Sequence, residues 1–280
     1  MYNTQLFPRL LRLAVPIMLT NLLQVTYNLV DAWFLGRVSA EAVSAPSIAF
    51  SVVFFLGVFG MGFSQAGTTL VSQAHGAGNR RQVDFYAAQT VGLVSVTGIV
   101  VGLVGVLAID TLLGLLRVPP AAEMQTRVYM QIIFSATPFM FFFFVLQGIM
   151  QGVGDSVTAL WVQLATVTLN GVLDPLLIFG VGPFPEMGVA GAATATLVSR
   201  GVSAAAILVI LFRGRRHLTI HAADLRPRRR AWRTLVGIGI PLATGQAVAA
   251  LGYDAPKAAV DALFNSFDED RSGWVELCAQ

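Results

Sequence analysis

Long apolar stretches broken by short polar punctuation run through the first 250 or so residues. They cover 8–35, 43–73, 84–109, 124–151, 157–180 and 188–212. A helix needs about 20 apolar residues to cross a hydrocarbon core of roughly 30 Å, at a rise of about 1.5 Å per residue. All six stretches meet that length. Their ends carry turn and charge signals: "GRVSAE", "HGAGNRRQ", "RVPPAAE", "GVGDS", "VGPFPEMG" and "RGRRH". A seventh apolar run starts near Trp232 and reaches Gly252. After it the pattern changes. Val260, Leu263, Phe264 and Phe267 follow i, i+3, i+4, i+7, which predicts a short amphipathic helix. The pattern thus predicts an all-α, polytopic membrane helix bundle. Its parts are a six-helix unit (1–212), a polar loop (213–231), a seventh helix (232–252) and a water-soluble tail (253–280).

Composition agrees with lipid as the solvent. The chain is 55% hydrophobic and 12% charged, with mean hydropathy +0.71, whereas soluble domains are about 25% charged. The run from Leu10 continues at spanning length without a small-residue cleavage pattern, so it reads as a span and not as a removable leader. The single cysteine, Cys278, excludes an internal disulfide. The single lysine, Lys257, stands far from any glycine-rich loop, which excludes a P-loop for ATP.

Arginines set the orientation. Arg9, Arg12, Arg80, Arg81, Arg213, Arg215, Arg216, Arg226, Arg228, Arg229, Arg230 and Arg233 fall on one side of the predicted spans. Arg37, Arg117 and Arg127 fall on the other. Twelve against three places the N-terminus on the cytoplasmic side. The run "RGRRHLTIHAADLRPRRRAWR" is then a cytoplasmic loop beside anionic lipid. No module accompanies it that would present arginine to nucleic acid. His75, His217 and His221 lie in loops without a supporting cluster of metal ligands.

The first and seventh spans are alike. "LLRLAVPIM" at 10–18 aligns with "LVGIGIPLA" at 235–243 and puts Pro16 on Pro241, 225 positions apart. Transporters are often built from two such repeats. The arginine pattern favours parallel copies, since both begin after cytoplasmic arginine. The expectation is one lobe of a two-lobed transporter plus the first helix of a second lobe, in a truncated or fused chain.

Ionisable residues inside spans are costly, roughly 2.5–3.5 kcal/mol for a carboxylate at the helix centre. Asp31 in "YNLVDAWFLGR" and Asp174 in "TLNGVLDPLLIFG" lie at similar depth in the outer half of their spans. Asn170 is one turn from Asp174 on the same face. Pro175 cannot bond the carbonyl of Gly171 and should kink the fifth span there. Thr196, about eight residues into the sixth span, reaches the same depth. Asp31, Asn170, Asp174 and Thr196 can therefore line one polar pocket, a proton site or, with enough converging oxygens, a sodium site. The competing reading is that each bonds a neighbouring helix. Arg200 in the sixth span reads as a buried partner or a snorkelling group.

With these residues in view, the chain resembles the multidrug and toxic compound extrusion (MATE) family over roughly 5–252. The motifs are the first-span proline followed by "VDAWFLGRVSAEAVSA", then "GTTLVSQAHGAGN", "LQGIMQGVGDS" and "NGVLDPLLIFGVGPFPEMGVAGAATAT". The resemblance implies an antiporter, not an enzyme, with twelve helices in two lobes. Members exchange protons or sodium for organic, often cationic, xenobiotics. The implied cation site is Asp31, Asn170, Asp174 and Thr196, with Thr194 as an alternative to Thr196 and Gln147 in the place of a fourth-helix asparagine. The implied coupling ion is H+ or Na+, with no other cofactor. The implied partners are small organic substrates, the bilayer, and a second copy or a missing second lobe.

The tail carries six of the 15 acids. "DEDRSGWVE" resembles the first part of an EF-hand loop. Asp268, Asp270 and Ser272 take positions one, three and five, Trp274 offers its carbonyl at seven, and Glu276 stands at nine. Ala279 occupies position twelve, where a bidentate glutamate belongs, so useful calcium affinity is not expected. Three other readings compete with the antiporter: a calcium-responsive protein anchored by the helices, a lipid-carrier flippase, and an inactive fragment.

Overall fold

The computed structural model describes residues 6–38, 40–212 and 222–250. The helices are α1 (Leu6–Leu35), α2 (Ala40–Gly76), α3 (Arg80–Leu107), α4 (Ile109–Leu115), α5 (Pro120–Gly152), α6 (Ser156–Ile178), α7 (Val189–Phe212) and α8 (Arg229–Ala250). A 3-10 turn, Ala222–Leu225, precedes α8. The predicted all-helical membrane bundle is what forms. Five helices, α1, α3, α5, α6 and α7, are long and apolar enough to span, and α2 makes a sixth if its two segments count as one. Those segments, Pro46–Phe55 and Gly57–Gly76, meet at an angle of 44°; the break falls just before Gly57, a residue type that lowers the cost of a kink.

Two details differ from the pattern reading. The third span ends at Leu107, and the apolar "IDTLLGL" after it turns off as the separate helix α4. Arg127 on α5 ties α4 down by pairing with Asp110, and it also meets Glu123 at 3.1 Å. The described part of the predicted seventh span, α8, does not reach spanning hydropathy. Arg229, Arg230 and Arg233 in its first turns, with Thr234, Thr244 and Gln246, lower its hydropathy.

α5 is the centre of the bundle and packs against α2, α3 and α7. α2 also packs on α3 and α8, and α1 lies mainly on α6, touching α2 and α7 thinly. The main core comes from α2, α3, α5 and α8, with Phe143, Leu146 and Leu235 wholly buried. The outer faces stay apolar, as lipid demands. On α1, Leu11, Val15, Met18, Leu22, Val25, Leu29 and Trp33 form an exposed stripe at helical spacing.

Two tight turns share one design, 76 residues apart. α2 and α5 each end in a left-handed glycine, Gly78 (φ 72°) and Gly154 (φ 79°). Only a residue without Cβ adopts that conformation cheaply. Asn79 N donates to Ala74 O (3.0 Å) and Asp155 N to Met150 O (2.9 Å), closing Schellman motifs. The same two residues then cap the next helices: Asn79 accepts from Gln82 N (3.1 Å), Asp155 from Thr158 N (3.3 Å). The punctuation "GAGN" and "GVGD" thus ends one helix and starts another within four residues, which forces α2 against α3 and brings α6 back along the bundle.

Candidate functional site

α1 and α6 lie side by side, and their acids meet. Asp174 is wholly buried, Asn170 is 1% exposed, and Asn170 Nδ2 donates to Asp174 Oδ1 at 3.3 Å. The Asp31 and Asp174 carboxyls are within hydrogen-bond reach of each other. Asp31 Oδ1 and Asp174 Oδ2 are nevertheless buried without a protein donor. A carboxylate only accepts hydrogen bonds; with a proton it donates one. The pair thus has acceptor oxygens to spare. A proton on one carboxyl fits, and a sodium ion would draw on the same oxygens and on Asn170 Oδ1. Pro175 sits in the final turn of α6, which runs on to Ile178 as one continuous helix. Among the described residues no group of three or more His, Cys, Asp or Glu is placed to hold a metal.

A second polar layer joins α1 to α7. Tyr27 Oη donates to Thr196 Oγ1 at 3.0 Å, and Arg200 Nη2 donates to Gln24 Oε1 at 2.8 Å. Tyr27 and Asp31 are one turn apart on α1, as are Thr196 and Arg200 on α7, so two i,i+4 ladders face each other. The Arg200 guanidinium lies 4.7 Å from the ring centres of both Tyr27 and Phe143 and 5.4 Å from that of Phe144. An amide relay extends the layer: Gln147 Nε2 to Gln163 Oε1 (3.5 Å), and Gln163 Nε2 to Gln24 Oε1 (3.3 Å).

Both layers border a cavity of about 620 Å³ between α1, α2, α5 and α7. Asp31, Gln24, Gln147, Thr196 and Arg200 are in its wall, and Phe54, Phe134, Phe141, Phe144 and Tyr129 line its apolar part. Asn170 and Asp174 stand behind Asp31, away from the lining.

Of the residues singled out from the sequence, Asp31, Asn170 and Asp174 therefore come together. Thr196 lies in the adjoining layer, held by Tyr27. Thr194 turns to its own helix, donating to Ala190 O at 2.7 Å. Gln147 is in the cavity wall but bonds Gln163. Asp268, Asp270, Ser272, Trp274 and Glu276 lie outside the described residues. Arg200 is a buried partner, 2% exposed, and not a snorkelling group. Gln24, Tyr27 and Gln163 are additions. Tyr27 shows one sequence signal, its i−4 position to Asp31; the glutamines show none that separates them from packing residues.

A family model described as MatE matches residues 16–176, which is α1 through most of α6. The chain is 31% identical over 235 residues to the probable multidrug resistance protein NorM of Thermotoga maritima, covering 84% of this chain and 50% of that one. It is also 31% identical over 204 residues to the probable multidrug resistance protein YoeA of Bacillus subtilis, covering 72% and 44%. A solved outward-facing multidrug resistance MATE family transporter of the MOP superfamily superposes with a TM-score of 0.80 at 25% identity, over 87% of this chain and 53% of that one. The chain thus spans about half the length of the relatives it matches. The match begins at Pro16 in α1 and takes in the acid pair. The chain belongs to the MATE family, whose members are integral membrane transporters and not enzymes.

Proposed function

We propose that these helices form one lobe of a proton- or sodium-coupled exporter of organic compounds, with Asp31, Asn170 and Asp174 as the cation site. The observation that carries this reading is the acid pair: two adjoining carboxyls, each with an unpartnered buried oxygen, on helices that face lipid. Keeping charge there is costly, and a structural role needs no second carboxylate beside the first. Taking up one cation satisfies the pair; losing it leaves the two buried oxygens without a partner. Because α1 rests mainly on α6 and only thinly on α2 and α7, a change at Asp31 alters how α1 borders the cavity. Thr196 and Gln147 act through the cavity wall. Alternating access then needs a second lobe, supplied by another segment or by a second copy. The excess of arginine on one side supports a cytoplasmic N-terminus, so export runs away from that side.

The test is dye efflux from proteoliposomes containing the protein, driven by an imposed proton or sodium gradient. Asp31→Asn and Asp174→Asn should each reduce gradient-driven efflux to the level of empty vesicles. Unchanged coupled efflux in both variants overturns the site assignment. The gradient that drives efflux identifies the ion.

A further inference from the structure

We propose that the cavity recognises an organic anion, an aromatic compound carrying a carboxylate or sulfonate, through Arg200. The inference deepens the exporter reading and rests on it for the cavity being a substrate site. Guanidinium is always charged and carries five N–H donors. Arg200 is nonetheless 2% exposed and forms no ion pair within 4 Å among the described residues. Its Nε and Nη1 are buried without an acceptor, and Nη2 is met by a neutral amide, Gln24 Oε1, at 2.8 Å.

Asp31, one turn from Tyr27 on α1, is beyond ion-pair range of Arg200. The guanidinium carbon lies 4.7 Å from the ring centres of both Tyr27 and Phe143. The unmet N–H donors point to an acceptor that the protein does not supply, and a carboxylate or sulfonate meets a guanidinium in bidentate fashion. In this arrangement the Gln24 amide oxygen stands where one oxygen of such an anion would sit. The apolar remainder of the cavity, lined by Phe54, Phe134, Phe141 and Phe144, suits an aromatic body. A cavity made for cations alone gains nothing from a buried arginine in its wall, since like charge repels a cationic ligand.

The test uses the full chain in nanodiscs of neutral lipid and three probes of one shape: 1-naphthaleneacetate, its neutral amide, and 1-naphthylmethylammonium. Binding is read by isothermal titration. The acetate should bind at least about tenfold more tightly than the ammonium, the scale of a charge-assisted pair. Arg200→Gln should remove that preference and leave the amide within about twofold, and Arg200→Lys should restore part of it. Equal binding of acetate by wild type and Arg200→Gln, or a preference for the ammonium in wild type, overturns the proposal. Should Arg200→Gln fail to fold, Gln24→Ala decides. Freeing Nη2 should tighten acetate binding about threefold relative to the amide, whereas no change overturns the proposal. Titration needs no transport, so the two readings fail separately. Arg200-dependent binding without coupled efflux sinks the exporter reading, and coupled efflux with charge-indifferent binding sinks this one.

Discussion

Tyr27 on α1 and Thr196 on α7 share a hydrogen bond of 3.0 Å across 169 residues of chain, and Tyr27 is 3% exposed. α1 makes few contacts with α7, so this bond and that of Arg200 to Gln24 are what join the two helices in the layer beside the acid pair. Tyr27→Phe should cost about 0.5–1 kcal/mol, the range for interhelical side-chain bonds in membranes. Thr196→Val should cost a similar amount, and the double variant no more than either alone. Thermal unfolding of the four proteins in one detergent measures the cycle; additive losses mean that the bond contributes nothing.

A buried glutamine, 1% exposed, fastens the segment leading into α8. Gln89 Nε2 donates to Asp224 O (2.5 Å) and Arg226 O (2.9 Å), while Gln89 Oε1 accepts from Arg228 N (2.9 Å). Gln89→Leu leaves three backbone groups without partners, at about 1–3 kcal/mol for each that stays buried. The expected result is faster tryptic cleavage in 226–230 of folded protein, with the helical content intact. A cleavage rate equal to wild type would show that the clasp does not hold the segment.

Much of this molecule is legible along the chain because lipid imposes a simple rule. Every apolar stretch of spanning length had to become a helix, and Asp31 and Asp174 stood out because charge in hydrocarbon needs a reason. Gln24, Gln89 and Gln163 escaped notice for the converse reason. A neutral amide on a helix is cheap enough to be anywhere, and its partner lies up to 176 residues away. Arg200 was visible as a charge, but its neighbours Tyr27 and Phe143 come from helices whose order of packing no periodicity reveals. The helix α4 was hidden because "LAIDTLLGLL" is apolar but for Asp110 and Thr111, and its place is set by tertiary contacts, the pairing of Asp110 with Arg127 and the burial of Ile109 and Leu113 against Met130 and Phe134.

The two glycine-and-cap turns make a paired prediction. Asp155 accepts from both Thr158 N (3.3 Å) and Thr158 Oγ1 (2.8 Å), whereas Asn79 accepts from Gln82 N alone (3.1 Å). Loss of an N-cap costs about 0.5–2 kcal/mol. Asp155→Ala should therefore fall at the upper end and Asn79→Ala at the lower. Denaturation midpoints of the two variants check the order, and the reverse order would mean that the extra threonine bond carries no weight.

The contact between α2 and α8 depends on glycines whose neighbours differ sharply. A Cβ on Gly62 would stand 2.5 Å from Gly239 O and 2.7 Å from the Ala243 Cβ, both on α8. On Gly237, two residues from Gly239, a Cβ would meet nothing within 4 Å. Backbone oxygen cannot rotate aside as a side chain does, so Gly62→Ala must push α8 away and should destabilise by about 1–3 kcal/mol. Gly237→Ala only exchanges a poor helix former for the best one and should stabilise by up to about 1 kcal/mol. Differential scanning of both variants in the same lipid gives the comparison. If α8 rests on α2 as described, the two midpoints move in opposite directions. A Gly62→Ala protein with a wild-type midpoint would show that the close approach of Gly62 to Gly239 is not part of the folded bundle.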